Sequence, residues 1–174
     1  MSNTNVEVRE DSAGLEARVR AALGEVKDPE IPAVSVLDMG MIREIEIKGG
    51  EVRVVVLPTF TGCPAVPVIK EDVQRAVETV AGVTSVQVDF SFDPPWTSDR
   101  ITAVGARKLK DFGLAPPTGQ GPVLIADIGL PRRAECPFCG SADTRLENAF
   151  GPTPCRALYY CSACRNPFEQ FKPV

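Results

Sequence analysis

Apolar residues recur at helical spacing between Ala13 and Val26, where Leu15, Val19, Ala22, Leu23 and Val26 share one face and Ser12 is placed to cap it. The run Asp28-Pro29-Glu30-Ile31-Pro32 ends that helix, because each proline disfavours the α conformation in the residue before it. The pattern then changes to period two. Ile45 and Ile47 alternate within Met41 to Lys48, a valine-rich stretch runs from Glu51 to Leu57, and Gly49-Gly50 between them signals a hairpin turn. A second amphipathic helix is predicted from about Val66, with Ile69, Val73, Val77 and Val80 near one face. Val86, Val88, Phe90 and Phe92 alternate with Gln87, Asp89 and Ser91, which predicts a third strand with one wet face. Pro94-Pro95-Trp96 ends it, and Thr97 or Ser98 is placed to cap a third helix running to about Phe112.

The order helix, hairpin, helix, strand, helix predicts an α+β protein. A disordered tail over 1–12 precedes a small α/β domain over 13–114, with a short mixed sheet and about three helices. Residues 115–134 are rich in proline and glycine and read as a linker, within which Val123-Leu124-Ile125 is apolar enough to dock on a flanking domain. From 135 to 174 the composition turns to cysteine, aromatics and turn residues, which predicts a C-terminal four-cysteine zinc ribbon. A sheet of three strands leaves open edges, and Trp96 with Phe90 or Phe92 offers apolar area, so a homodimer is expected.

Composition narrows the chemistry. The net charge is -4 and no basic block occurs, which disfavours nucleic-acid binding through a cationic face. The first eleven residues lack the charged-then-apolar pattern of a secretion signal, and no apolar run approaches a membrane span, so a cytoplasmic location without membrane contact is expected. There is no histidine, which removes Ser-His and Cys-His catalysis and any two-histidine carboxylate iron site. Thiols and carboxylates remain. In a reducing compartment, two C-x-x-C pairs among six cysteines read as metal binding rather than disulfides.

The pairs are Cys136 with Cys139 and Cys161 with Cys164, each on a tight turn able to give two sulfurs to one tetrahedral ion. That shell suits zinc, or iron in a rubredoxin-like site, and the competing reading is four buried or redox thiols without metal. With four protein ligands no coordination position stays open, so a bound metal is expected to be structural, and so short a segment to fold only around it. Cys155 lies about 20 Å from Cys161 if the chain between them is extended, too far to share the ion. It reads either as a small buried strand residue or as an additional reactive thiol.

Cys63 stands alone in Thr61-Gly62-Cys63-Pro64, directly before the second helix. A proline suits the first turn of a helix, whose backbone N–H groups would stabilise a thiolate, and Gly62 would let a ligand approach the backbone. A buried structural cysteine beside a turn is the other reading. Asp28, Glu30 and Asp38, in the loop after the first helix, are polar enough to bind metal or to cap turns.

Three strings carry a resemblance: Asp28-Pro29-Glu30-Ile31-Pro32, Ser35-Val36-Leu37-Asp38-Met39-Gly40, and Pro58-Thr59-Phe60-Thr61-Gly62-Cys63-Pro64-Ala65. Together they resemble the small domain shared by SufT and the eukaryotic cytosolic iron–sulfur targeting factors. Asp93-Pro94-Pro95-Trp96-Thr97-Ser98, Phe150-Gly151-Pro152-Thr153-Pro154-Cys155 and the ending from Cys164 to Lys172 are similar to the PaaD (PaaJ) family, accessory proteins of multicomponent phenylacetyl-CoA epoxidase. The resemblance implies a non-catalytic helper in aerobic phenylacetate degradation that assists maturation of an iron–sulfur or iron centre. Its implied partners are the epoxidase subunits, especially the iron–sulfur reductase, and other iron–sulfur assembly proteins. Cys63 is then the motif thiol that transiently holds a cluster or iron, with Asp28, Glu30, Asp38, Thr61 and Gly62 in support, and the four ribbon cysteines hold structural zinc. A zinc-shaped interaction scaffold, or a thiol-redox component pairing Cys63 with Cys155, are the competing functions.

Overall fold

The computed structural model describes residues 4–60, 62–117 and 134–172, with side chains from residue 13 onward. Its contacts divide the chain into two compact units. One comprises Met1–Pro58 with Pro64–Pro95, the other Thr59–Cys63 with Trp96–Val174.

In the first unit, helix α1 spans Thr4–Glu25 and buries Leu15, Val19 and Leu23, which recur every fourth residue on one face. It starts eight positions before Ser12, so that residue lies within the helix rather than at its cap, and the expected tail over 1–12 is helical from Thr4. No proline occurs between Thr4 and Glu25, and a helix nucleated by its packed turns extends backward at little cost. The loop that follows is held by Val36 N–H donating to Val26 C=O (2.9 Å) and Asp28 N–H to Val34 C=O (3.0 Å), and it buries Ile31, Val34, Val36, Met39 and Met41. Its apolar residues thus extend the core, each fully buried aliphatic side chain contributing about 1.5–3 kcal/mol of burial free energy.

Strands β1 (Ile42–Lys48) and β2 (Glu51–Val56) form the antiparallel hairpin, with Gly49 at φ 57° and Gly50 at φ 94°. Two consecutive positive φ values are what the tight two-residue turn requires. Helix α2 (Val66–Glu78) crosses to β3 (Ser85–Phe90), which runs parallel to β2. The mixed three-stranded sheet has the order β1-β2-β3, and its core meets Ile69, Val73 and Val77 of α2. On the opposite face Arg53 pairs with Asp89 (2.7 Å) and Glu46 (3.5 Å), the wet face expected from the alternation. Phe92 falls beyond β3 and is 52% exposed.

The long segment of the second unit opens on Trp96, which is 4% exposed and stands edge-on to Phe171 at 5.8 Å. Trp96 is thus a core plug, which leaves little of its area for a dimer interface. Thr97 precedes a 3-10 turn over Ser98–Arg100, and helix α3 (Ala103–Asp111) is capped by Thr102, whose Oγ1 accepts from Gly105 N–H (2.9 Å). The cap therefore sits four or five residues after the positions read from sequence. Gly113, at φ 88°, donates its N–H to Lys110 C=O and ends the helix. Strand β4 (Leu114–Ala115) follows, so Ala115 belongs to a sheet rather than to a linker. Residues 118–133, with Val123-Leu124-Ile125, lie outside the described residues.

Strands β5 (Thr144–Asn148), β6 (Arg156–Cys161) and β7 (Pro167–Phe171) form an antiparallel ribbon, and β4 adds to it parallel to β7, in the order β4-β7-β6-β5. Ala115, Ala134, Ala157, Tyr159 and Phe168 form its core together with Cys136 and Cys161, and Tyr159 stacks on Phe168 at 5.6 Å. Helix α3 and β4 thus group with the ribbon rather than with the sheet domain.

Candidate metal centre

The two cysteine turns are built alike. Cys136 N–H donates to Ser141 C=O (3.0 Å) and Gly140 N–H to Cys136 C=O (2.9 Å); Cys161 N–H donates to Asn166 C=O (3.0 Å) and Arg165 N–H to Cys161 C=O (2.9 Å). The residue after each second cysteine is left-handed, Gly140 at φ 73° and Arg165 at φ 61°. Glycine takes that conformation freely, whereas an arginine there is strained and stays only because its surroundings hold it. Gly140 announces its turn in the sequence, but nothing in the residue type of Arg165 does.

The turns bring four sulfurs together, all within 4.8 Å of one another. Cys136 Sγ lies 3.7 Å from Cys164 Sγ, and Cys139 Sγ lies 3.6 Å from Cys161 Sγ. A tetrahedron of sulfurs around zinc, with Zn–S near 2.3 Å, has edges of about 3.8 Å, which these two separations match. Electrostatics agree. Burial chiefly pushes the Cys136 thiol up. At Cys139 the Ser141 amide pulls downward, but burial and hydrogen bonds with the Cys161, Cys164 and Cys136 thiols prevail and push it up to about 12. At Cys164 burial pulls the other way, but hydrogen bonds from the Asn166 backbone and side chain, and from Cys161 and Cys139, bring it down to about 6. Four sulfurs this close resist sharing negative charge, and a divalent cation removes the conflict.

Two of the loop carboxylates accept hydrogen bonds from nearby backbone N–H groups. Asp28 Oδ1 accepts from Glu30 N–H (2.8 Å) and Ile31 N–H (3.0 Å), and Asp38 Oδ2 accepts from Ser35 N–H (2.9 Å) while Ser35 Oγ accepts from Asp38 N–H (3.1 Å). Both carboxylates close turns, the ordinary use of aspartate in a loop. Glu30 contributes its amide to the first turn. Thr61 lies outside the described residues. Among the described residues no second group of three or more carboxylates or thiols is gathered closely enough to hold a metal. Cys155 stays apart from the four-sulfur set, and its Sγ is 3.2 Å from Thr153 Oγ1.

Cys63 is half-buried, and its N–H donates to Phe60 C=O (3.2 Å). Helix α2 begins at Val66 with Ala65 as its N-cap and Pro67 in its first turn, so Cys63 and Pro64 precede the cap instead of entering the helix. A Cβ on Gly62 would meet only the Phe60 ring, at 3.5 Å, and φ there is not left-handed, so the fold itself does not demand glycine. Segment Thr59–Cys63 groups with the ribbon unit, not with the sheet domain whose strand and helix flank it in sequence. Local sequence assigns the cysteine to the first domain, since chain proximity is its sole guide.

Residues 122–172 match the PaaD zinc beta ribbon domain family, and residues 16–89 match the iron-sulfur cluster assembly protein family. A protein of Escherichia coli (strain K12) named as a subunit of 1,2-phenylacetyl-CoA epoxidase is 38% identical over 154 residues, covering 88% of this chain and 90% of that protein. The chain belongs to the PaaD family. An Fe-S protein maturation auxiliary factor of Porphyromonas gingivalis (strain ATCC BAA-308 / W83) is 37% identical over 103 residues, covering 59% of this chain and 90% of its own. Among solved structures, a domain of unknown function DUF59 from Bacillus anthracis superposes with a TM-score of 0.50 at 25% identity, over 53% of this chain and 89% of that one. This chain therefore combines a region similar to iron–sulfur cluster assembly proteins with a four-cysteine ribbon. No helix among the described residues is long and apolar enough to cross a membrane.

Proposed function

We propose that this PaaD protein is a non-catalytic maturation factor for phenylacetyl-CoA epoxidase, delivering iron or an iron–sulfur cluster to a component of that complex, with the iron–sulfur reductase as the client. What carries the reading is the union in one chain of an iron–sulfur assembly domain and a PaaD ribbon, aligned over most of its length with a relative named as an epoxidase subunit. Cys136, Cys139, Cys161 and Cys164 would hold zinc, which supplies cross-linking of the ribbon and no reactive position. Cys63 is the cargo thiol. One thiolate cannot complete a cluster shell, since clusters take about four protein ligands, so the client or a second protomer supplies the rest. An incomplete shell suits a carrier, because a cluster held by few bonds leaves readily.

The test is iron, zinc and acid-labile sulfide analysis of protein purified without oxygen, beside Cys63→Ser. The reading requires zinc in both preparations and iron with sulfide in the unsubstituted protein alone. A second reading, the zinc-shaped scaffold, is favoured by the turn-closing hydrogen bonds that the Asp28 and Asp38 carboxylates accept. It requires zinc alone in both preparations.

A further inference from the structure

Segment Thr59–Cys63 lies in sequence between strand β2 and helix α2 of the sheet domain, yet it groups with Trp96–Val174 in one compact unit. We propose that the metal-folded ribbon unit is the platform that holds the Cys63 loop, so that occupancy of the four-cysteine site sets how accessible the Cys63 thiol is. This rests on the assignment of Cys63 as the functional thiol, and it gives the ribbon a task beyond its own stability.

A chain of contacts runs from the metal site to Trp96, within the unit that also contains Thr59–Cys63. Two of the four sulfur donors, Cys136 and Cys161, are fully buried and share one apolar core with Ala115, Tyr159 and Phe168. Ala115 lies in β4, which exists only through its pairing with β7, Leu114 opposite Glu169 and Ala115 opposite Gln170. Gln170 is buried and its Nε2 donates to Pro116 C=O (3.1 Å), tying the chain after β4 to the same strand. The next residue of β7, Phe171, closes against Trp96 at the start of the long segment. Loss of the metal withdraws the cross-link that lets so short a ribbon fold, and β7 falls with it, because both its sheet partners depend on that core. The unit that loses its order is the one containing Thr59–Cys63. Strands β1 to β3 and helix α2 have a separate core and stay folded.

The experiment uses the full-length protein, zinc-loaded and then zinc-stripped by chelator under reducing, oxygen-free conditions. Pulse alkylation read by peptide mass spectrometry gives the rate at Cys63 separately from the ribbon cysteines. Hydrogen exchange over residues 51–56 reports the sheet domain in the same samples. Zinc removal is expected to accelerate alkylation of Cys63 by about tenfold, as local unfolding exposes the half-buried thiol, while exchange over β2 is unchanged. Phe171→Leu, which alters no sulfur, should raise the Cys63 rate in the same direction with zinc still bound. An unchanged Cys63 rate after zinc loss overturns the proposal, as does equal loss of protection in β2. Because the readout is accessibility, a negative result here leaves cluster delivery by Cys63 standing, and failure of delivery leaves this coupling standing.

Discussion

Replacing Phe171 by alanine should destabilise the ribbon unit far more than any exposed aromatic does. Phe171 is 2% exposed, lies in β7 between the pairings that hold β4 and β6, and meets Trp96 edge-on at 5.8 Å with an interplanar angle of 68°. Truncating a buried phenylalanine costs about 3–5 kcal/mol through lost burial and the cavity left behind. The edge-to-face ring pair adds about 0.5–1.5 kcal/mol beyond area. A total near 5 kcal/mol, with a urea m-value of about 2 kcal/mol per molar for a unit of this size, lowers the midpoint by about 2.5 M. Trp96 is the one tryptophan of the chain, so its fluorescence reads this transition and little else. Phe138→Ala serves as control, since that ring is 57% exposed, and its effect should stay within about 0.5 kcal/mol. A midpoint shift below about 0.5 M in Phe171→Ala, or a Trp96 emission that unfolds unchanged, would refute the assignment of Trp96 and β7 to one cooperative core.

Other outcomes follow from single positions. Gly49→Ala, at φ 57° with nothing within 4 Å of the new Cβ, should cost about 1 kcal/mol, whereas Gly50→Ala, at φ 94° with Gly82 C=O only 2.8 Å away, should cost clearly more by thermal melting; equal losses would contradict the turn geometry. Asp38→Ala leaves the buried Ser35 N–H without its carboxylate acceptor and should cost about 1–3 kcal/mol, with zinc content unaltered by elemental analysis. Asp89 has its carboxyl held below the ordinary 3.8 by hydrogen bonds from Gln87 first and Arg53 next. A depressed carboxylate stabilises the fold above its unfolded-state pKa and loses that contribution as pH falls through the folded value, so stability should decline below about pH 4, and less steeply in Gln87→Ala. An identical acid profile in that variant would remove Asp89 from the account.

The sheet domain is legible in the sequence because its signals are local. Leu15, Val19 and Leu23 give a period near four, the β-strand valines a period near two, and Gly49-Gly50 marks a turn that needs positive φ twice. The metal site is equally legible, since each C-x-x-C closes its own turn before the two meet. What local pattern does not supply is long-range. Strand β4 has two residues and no signature of its own, and it forms because β7 arrives from the far end of the chain to pair with it. The cap of α3 lies at Thr102 because a 3-10 turn occupies the residues after Trp96, whose burial against Phe171 sets the path there. Cys63 reads with its chain neighbours in sequence, although segment Thr59–Cys63 groups with the ribbon unit. The helical start at Thr4 is hidden by a polar composition that suits a tail and a solvated helix equally.

The central claim is that Cys63 delivers iron or a cluster to the epoxidase reductase, and iron occupancy of that reductase tests it most directly. The reductase is co-expressed with this protein, either unsubstituted or as Cys63→Ser, and purified without oxygen for iron and sulfide analysis. Zinc content of the Cys63→Ser protein is measured alongside, to establish that its ribbon is intact. The account predicts a reductase deficient in iron and sulfide beside a variant that retains full zinc. A reductase filled equally by both proteins would contradict it, and Cys63 would then be a structural cysteine on a zinc-shaped scaffold.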